Sequence, residues 1–200
     1  RLETNGLLGD IVNSSPRYVG QPRSSNRDQA PYPIDDLYSD FANDNYDRTA
    51  MVYVGANDGM LHGFNALTGR ETFGYVPNLV INDDERFNNK LDNFTSTFYL
   101  HDYYVDLTPR LNDAYMSGSD GGSKAWRTLM VGGLGAGGKG FFALDVTDPD
   151  TMFASQDAAR EAVLWEFSES DDTYPVDVNG TPLGGAVGAI TDPNNLPAVS

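Results

Sequence analysis

The chain has 200 residues and a mass of 21.8 kDa, enough for one domain with a sizeable buried core. Its 29 Asp and Glu residues outnumber its 13 Lys and Arg residues, and the formal net charge of −16 excludes duplex DNA and anionic lipid as expected partners. The absence of cysteine excludes disulfide bonds and thiolate metal sites, and no apolar stretch approaches the roughly 18 residues that span a bilayer.

The first part of the chain predicts little regular structure. Residues 11–12 favour a short extended piece, and residues 13–16 favour a turn. Residues 21–48 are rich in Pro, Ser, Asn and Asp, so we expect a long surface insertion there. That insertion has room for one helical turn, around residues 35–41.

Residues 51–77 give the clearest secondary-structure signal in the chain. Three runs of apolar, β-branched and aromatic residues are separated by Asp58-Gly59 and by Thr68-Gly69, which predicts three consecutive antiparallel strands. We expect Asp58-Gly59 to form a tight primed turn, in which both central residues have positive φ.

Residues 78–122 predict a second long insertion. An acidic run at residues 82–85 favours the start of a short helix that continues to Leu91, because carboxylates cap helix N-termini. Within the same insertion, the aromatic segment at residues 98–106 predicts a strand or a strand-like loop.

The last part of the chain predicts strands again. Residues 126–147 form two apolar runs around a Gly-rich turn, and the second run ends at Asp145. Residues 153–161 have a weak helical pattern, and residues 162–168 predict a further strand.

The strand signals repeat within the chain. Residues 51–75 and 130–167 share an apolar strand, a Gly-containing reversal, a second strand ending at Asn65 or Asp145, and an aromatic third strand. The offset of 80 positions between Asn65 and Asp145 is about twice the ~40-residue period of a four-stranded propeller blade. Either one blade lies between the two copies, or the two copies are adjacent blades joined by long loops.

The pattern therefore predicts an all-β fold of four-stranded antiparallel blades with long loop insertions and little helix. At ~40 to 50 residues per blade the chain could supply about four blades and close a small propeller, but the long insertions favour a partial β-propeller of three or fewer blades. Residues 1–200 are expected to be a single propeller domain or a fragment of one, with residues 21–48 and 78–122 as its insertions.

Several segments also resemble a known family when they are taken together. LGDIVNSSPRYVG, VYVGANDGMLHGFNALTGRE, HDYYVD, WRTLMVGGLGAGGKGFFALDVTDP and LWEFSESDD follow one another in this order. Their order and spelling resemble the C-terminal β-propeller of the PilY/PilC family, the type IV pilus tip-associated adhesins. NDGMLHGF and GLGAGGKGFFALDVTDP are the most specific of these segments.

The resemblance implies a non-catalytic module of a long exported protein that supports pilus assembly and attachment to a surface or a host cell. It implies minor pilins or a pilus tip complex as partners, together with a host or surface receptor. The implied location is the periplasm, the outer membrane or the cell surface at the pilus tip. Since the chain opens at Arg1, we expect any signal peptide to lie outside this sequence.

The resemblance also makes calcium possible in the parent protein, through an acidic loop outside the matched segment. Within this chain Asp177-Val178-Asn179-Gly180 begins such a loop, but Pro182 and Leu183 follow where carboxylates are needed. We therefore expect no complete metal site here and name no metal, cofactor or catalytic residue. Candidate oxygen ligands are the aspartates at turns: Asp44, Asp47, Asp148, Asp150, Asp171, Asp172 and Asp177.

The other residues with chemical potential favour structural roles. His62 and His101 are isolated among strand and turn residues, without a nucleophile motif beside them, so no enzyme activity is expected. Residues 133–140 lack the spelling of a phosphate-binding loop and predict a turn between strands. The aromatic residues Phe98, Tyr99, Tyr103 and Tyr104 are expected to pack between blades, with a binding patch as the alternative.

A second function remains open at this point. GANDGMLHGFNALTGRETF also resembles the blade repeat of pyrroloquinoline-quinone-dependent dehydrogenases, which need calcium, a catalytic carboxylate and a stacking tryptophan on the propeller axis. Both tryptophans of this chain, Trp126 and Trp165, lie in predicted strands, where packing explains them. The pilus module is therefore the preferred prediction.

Overall fold

The computed structural model describes residues 8–82, 90–168 and 171. Its strands are β1 Arg17–Val19, β2 Met51–Gly55, β3 Leu61–Asn65, β4 Glu71–Tyr75, β5 Arg110–Met116, β6 Ala125–Gly133, β7 Gly140–Asp145 and β8 Val163–Ser168. Its helices are α1 Tyr38–Asp44, α2 Leu79–Asn82, α3 Pro149–Met152 and α4 Gln156–Glu161, with 3₁₀ turns at Lys90–Thr95 and Gly135–Gly137. The chain divides into two compact units, and the first of them ends at Glu166.

The strands form two four-stranded sheets with the same order. Sheet 1 has the order β1-β2-β3-β4, and sheet 2 has the order β5-β6-β7-β8. Neighbouring strands from β1 to β4 and from β5 to β7 pair antiparallel, for example Tyr53 with Gly63 in sheet 1 and Met130 with Leu144 in sheet 2. This confirms the predicted fold class. Of the two alternatives for the repeat, adjacent blades are right, because the described part of the chain has no strand between β4 and β5.

The turn that follows the third strand of each sheet, β3 in sheet 1 and β7 in sheet 2, is built in the same way. Asn65 Oδ1 accepts the backbone N–H of Thr68 at 2.9 Å, and Asp145 Oδ1 accepts the backbone N–H of Thr147 at 3.0 Å. Each side chain thus satisfies backbone donors as the chain leaves its strand, as Asx turns do. The shared Asn/Asp and Thr of the repeat have this structural cause.

The main core lies between the two sheets. Met51, Tyr53 and Leu61 of sheet 1 join Met130 and Phe142 of sheet 2 in one buried cluster. Burial of side chains of this size contributes about 1.5–3 kcal/mol each, so the blades stabilise one another.

Two strands were missed by the sequence patterns, because neither alternates cleanly between apolar and polar residues. β1 has only three residues and pairs with β2 through Arg17 and Tyr53. β5 lies inside the predicted insertion at residues 78–122, which therefore includes the first strand of sheet 2 and is shorter as a loop. Asp113 in the middle of β5 reads as a loop residue, yet it is buried and hydrogen-bonded.

The predicted primed turn at Asp58-Gly59 is wrong. Gly59 has φ of 87°, but every positive φ in the described residues belongs to a glycine, so Asp58 stays in the ordinary region. The connection is longer than predicted: the N–H of Ala56 donates to the carbonyl of Met60 at 3.0 Å and closes it. Asp58 uses its side chain instead, accepting the N–H of Gly9 at 3.0 Å.

The helical predictions hold in part. α1 begins three residues later than the predicted turn, and α4 lies within the predicted residues 153–161. The predicted helix from residue 82 to residue 91 falls mostly on residues 83–89, outside the described part of the chain. No helix among the described residues combines the length and the apolar character needed to cross a membrane.

The aromatic segment at residues 98–106 is a strand-like loop that connects the sheets. Its last residues donate backbone hydrogen bonds in both directions: Val105 to the carbonyl of Ala56 at 3.4 Å, and Asp106 to the carbonyl of Leu134 at 3.2 Å. We call residues 98–108 the bridging loop. Because it bonds to a turn of each sheet, it links the β2–β3 turn to the β6–β7 turn.

Candidate functional site

A cleft opens between the sheets beside β1 and β5. It has a volume of about 260 Å³ and is lined by residues of β1, of the segment that follows β1, of β5 and of β6. Three polar side chains in its lining, Arg48, Asp113 and Thr128, belong to one hydrogen-bonded network. We call this site the inter-sheet cleft.

Arg48 is the central residue of the cleft. Its Nε donates to the carbonyl of Gly20 at 2.6 Å, and its Nη1 donates to Thr128 Oγ1 at 2.8 Å and to the carbonyl of Thr147 at 3.0 Å. Burial lowers the pKa of Arg48, while the charge of Asp113 acts in the opposite direction. The side chain holds the first insertion of sheet 1 against β6 and against the turn that follows β7, and the sequence patterns did not identify it.

Asp113 is satisfied by two hydroxyl groups. Tyr38 donates to its Oδ2 at 2.6 Å, and Thr128, its cross-strand neighbour on β6, donates to its Oδ1 at 2.7 Å. Tyr38 in turn accepts the backbone N–H of Ser24 at 2.9 Å. Burial, followed by the hydrogen bond to Asp113, raises the pKa of Tyr38 to about 12, so this hydroxyl stays protonated at physiological pH.

An aromatic cluster anchors the insertion at residues 21–48. Trp126 on β6 contacts the rings of Tyr32 and Tyr38 at centroid distances of 4.7 and 4.9 Å, and its indole N–H donates to the carbonyl of Asp36 at 3.0 Å. Trp126 thus serves in packing, as its position in a predicted strand suggested. The insertion is fixed on sheet 2 by specific contacts.

The residues of the LGDIVNSSP segment bind the bridging loop. Asn13 donates its backbone N–H to Asp106 Oδ1 at 3.0 Å and its side-chain amide to Oδ2 at 2.5 Å. Ser14 accepts the N–H of Gly55 at 2.9 Å and donates to the carbonyl of Leu107 at 3.3 Å. The polar residues of this segment therefore join β2 to the bridging loop.

His62 lies fully buried between two carboxylates. Its Nδ1 is 2.7 Å from Glu71 Oε1, and its Nε2 is 3.0 Å from Asp58 Oδ1. Since ionised carboxylates only accept hydrogen bonds, both ring nitrogens donate and the ring is an imidazolium. Burial lowers the pKa of His62, but the hydrogen bonds and charges of Asp58 and Glu71 outweigh burial, and the pKa is raised.

We expect a pH-dependent loss of stability from this charge cluster. The folded-state pKa of His62 lies above its usual 6.5, so the contribution is complete below that pH and is lost as the pH rises through the raised value. Replacing His62 by Phe should cost about 2–3 kcal/mol at pH 6, and the difference should shrink at alkaline pH. Urea unfolding of the full-length protein and its variant across this pH range measures the effect.

The matched control is His101→Phe, because that imidazole is 48% exposed beside Asp10 and its ion pair contributes little. Equal pH profiles for the wild type and the His62→Phe variant would contradict the imidazolium assignment.

Asp58 makes the stability depend on pH in the acidic range. Burial raises the pKa of Asp58, but the hydrogen bond and charge of His62 lower it by more. The stabilisation by Asp58 is therefore lost only under strongly acidic conditions.

The candidate cation ligands do not come together in the described residues. No group of three or more His, Asp or Glu side chains there is placed to hold a metal ion. Asp148 caps α3 by accepting the N–H of Asp150. Asp150 accepts a hydrogen bond from the hydroxyl of Thr49, and Asp171 accepts one from the hydroxyl of Ser168. Asp44 and Asp47 are exposed, whereas Asp172 and Asp177 lie outside the described residues. Calcium in the parent protein remains a prediction.

The four aromatic residues of the bridging loop divide into two groups. Tyr104 is fully buried and stacks on Phe94 at 4.7 Å, and Tyr103 is half-buried and contacts His101 edge-on at 5.5 Å. Phe98 and Tyr99 are 87% and 43% exposed, and the neighbouring Leu100 is 77% exposed. The first group has the predicted packing role, while the exposed group forms an apolar tip, which we call the loop tip (residues 98–100).

Comparison with known proteins gives consistent matches. The model of the PilY1 beta-propeller domain matches residues 8–188. The type IV pilus biogenesis factor PilY1 of Pseudomonas aeruginosa (strain UCBPP-PA14) is 40% identical over 86% of this chain, and a PilY1 homolog of Xylella fastidiosa is 41% identical over 84%. The chain spans 13% and 12% of the length of these relatives.

A solved structure agrees with these matches. The crystal structure of the Pseudomonas aeruginosa PilY1 C-terminal domain superposes with a TM-score of 0.50 and 34% sequence identity, covering 82% of this chain and 29% of that one. Both sheets, the bridging loop and the inter-sheet cleft lie within the residues that the family model matches. The chain therefore belongs to the PilY1 β-propeller domain family.

Proposed function

We propose that this chain is a non-catalytic module of a type IV pilus biogenesis factor, which acts as a rigid support for exposed loops at the cell surface. The observation that carries the proposal is the identity of about 40% with proteins named type IV pilus biogenesis factors, over more than four fifths of the chain. These relatives favour the pilus function over the quinone-dependent dehydrogenase.

The contacts of the two histidines support a non-catalytic role. His62 is held between Asp58 and Glu71 within sheet 1, and His101 is bound to Asp10 at 2.8 Å. Both imidazoles are used in joining segments of the fold, and this use explains their positions without a reaction.

We further propose that the module contributes to attachment and that the loop tip is the contacting element. Three consecutive large apolar side chains, Phe98, Tyr99 and Leu100, are exposed. Phe94 stacks on both Tyr99 and Tyr104, so the tip is connected to the buried part of the bridging loop. Exposed aromatic side chains on a rigid support are favoured at protein interfaces because little conformational entropy is lost on binding.

The two roles can be separated in a piliated bacterium that encodes this chain. Deleting residues 8–168 from the chromosomal copy should lower the number of surface pili at least tenfold, counted by electron microscopy. A Phe98→Ser/Leu100→Ser variant should keep normal pilus numbers and lose most attachment per pilus, measured as adherent cells divided by pili. A Leu67→Ser variant is the matched control, because Leu67 is 93% exposed on a different turn.

Normal piliation in the deletion strain would contradict the biogenesis role. Unchanged attachment per pilus in the loop-tip variant would contradict the adhesive role of the tip and leave the biogenesis role standing.

A further inference from the structure

The guanidinium of Arg48 is only partly used by the protein. Nε and Nη1 donate three hydrogen bonds, to Gly20, Thr128 and Thr147, at 2.6 to 3.0 Å. Nη2 has no acceptor among the described residues. The buried side-chain nitrogen and oxygen atoms that lack a partner there are Arg17 Nε, Tyr53 Oη and Arg127 Nε, so Nη2 is not buried. Nη2 therefore remains open to solvent, on a side chain that lines the inter-sheet cleft.

The cleft is cationic in a strongly acidic chain. Arg23 and Arg48 both line it, against the single carboxylate of Asp113. Among the described residues neither arginine has a carboxylate within 4.0 Å, although the chain contains 29 Asp and Glu residues. The oxygens of Asp113 accept the hydroxyls of Tyr38 and Thr128, so this carboxylate makes no direct hydrogen bond to Arg48, and its single charge offsets only one of the two arginines.

The three bonds of Arg48 also fix its position. An arginine that is free in solution loses side-chain entropy when it binds an anion, and a guanidinium that is already anchored loses much less. Partial burial strengthens the electrostatic attraction of any anion that reaches Nη2, because the effective dielectric constant is lower there than in bulk water.

We propose that the inter-sheet cleft binds a carboxylate group of a ligand, with Arg48 Nη2 as the principal donor and Arg23 as the second cation. A single negative charge balances the two arginines and Asp113, whereas a phosphate dianion leaves an excess. The volume of about 260 Å³ is below the roughly 300–1,000 Å³ of drug-sized sites. The cleft therefore takes one acidic side chain of a protein or one small carboxylic acid.

Saturation-transfer NMR on the full-length protein tests this proposal, because the method observes the ligand and tolerates a large receptor. The probe is acetate, which replaces chloride in the buffer so that the ionic strength stays constant. We expect saturable acetate binding that weakens at least tenfold in Arg48→Gln and about threefold in Arg23→Gln. Arg70→Gln is the charge-matched control, since Arg70 is exposed on the β3–β4 turn, and its affinity for acetate should be unchanged.

A second pair of probes distinguishes the source of the carboxylate. N-acetyl-Ala-Glu-Ala-amide binding more tightly than acetate, with no binding of the matching Gln peptide, supports a protein side chain as the ligand. Acetate binding without Glu-peptide binding supports a small acid. The proposal is overturned if acetate gives no saturable signal, or if chloride at equal concentration abolishes that signal. It is also overturned if Arg23→Gln, whose side chain donates no hydrogen bond among the described residues, binds acetate as the wild type does.

Discussion

Replacing Gly137 by Ala is expected to disrupt the contact between the β6–β7 turn and the bridging loop. A Cβ at Gly137 would lie 2.0 Å from the carbonyl oxygen of Tyr104. The atoms nearest to it all belong to the backbone of Tyr104, so no flexible side chain can move to relieve the clash. Overpacking typically costs about 1–3 kcal/mol, and a clash this close with backbone atoms belongs at the upper end of that range. We expect hydrogen exchange at residues 104–107 to accelerate about 100-fold in the full-length protein, since each factor of ten corresponds to about 1.4 kcal/mol.

The matched control is Gly74→Ala. A Cβ at Gly74 would meet the terminal methyl group of Met60 at 2.7 Å, and that flexible side chain can turn away. Its exchange rates should stay within about threefold of the wild type, because changes without a rigid clash usually cost under ~0.5 kcal/mol. Protection at residues 104–107 that survives in Gly137→Ala would show that the turn and the loop are not in tight contact.

Replacing Lys90 by Met is expected to loosen the same region from the other side. Lys90 is buried, and its Nζ donates to the carbonyl of Tyr103 at 2.6 Å and to that of Gly137, while the ammonium lies 4.8 Å from the ring centroid of Tyr104. Met keeps the apolar stem and removes the donors, so two carbonyls lose a charged partner. Hydrogen bonds to charged groups contribute about 1.5–3 kcal/mol each, so the loss of two of them should cost at least about 3 kcal/mol.

Thermal unfolding and hydrogen exchange of the full-length variant measure this loss, with exchange in the bridging loop accelerated at least 100-fold. Lys124→Met is the control, because Lys124 is exposed and the same change of charge there should be nearly neutral. A Lys90→Met variant as protected as the control would mean that the ammonium contributes no net stabilisation.

These two predictions bear on the proposed function. Lys90 joins the bridging loop to Gly137 in the β6–β7 turn of sheet 2. The N–H of Tyr104 joins the same loop to Asn57 in the β2–β3 turn of sheet 1, and the exposed loop tip belongs to this loop. A destabilised bridging loop should therefore reduce piliation and attachment together. The Phe98→Ser/Leu100→Ser variant should reduce attachment alone, because those side chains are mostly exposed.

Local sequence patterns were sufficient for six of the eight strands. β2, β3 and β4 follow from apolar runs interrupted by glycine turns, and β6, β7 and β8 follow from the same pattern. The repeat of Asn65 and Asp145 then predicted the blade architecture, because equal side-chain chemistry at equal positions builds the same corner twice. The spelling of the signature segments also led to the family that the comparisons confirm.

The inter-sheet cleft had no such signal. Arg48 is the last residue of a polar insertion and Asp113 lies in a strand without alternation, so the sequence alone suggests a solvated charge at each position. They are 65 positions apart, and both became important only because β5 and β6 bring Asp113 and Thr128 beside the insertion that ends at Arg48. No local pattern encodes a contact of that separation.

The sequence by itself determined the all-β architecture, the two homologous sheets and the family, since these depend on local periodicity, turn residues and segment spelling. The tertiary structure alone decided that the sheets are adjacent, that His62 is an imidazolium between two carboxylates, and that Arg48 keeps one nitrogen open in a cleft. The physical reason is that burial and charge compensation depend on which distant side chains meet, and only the packing of one sheet on the other fixes those neighbours.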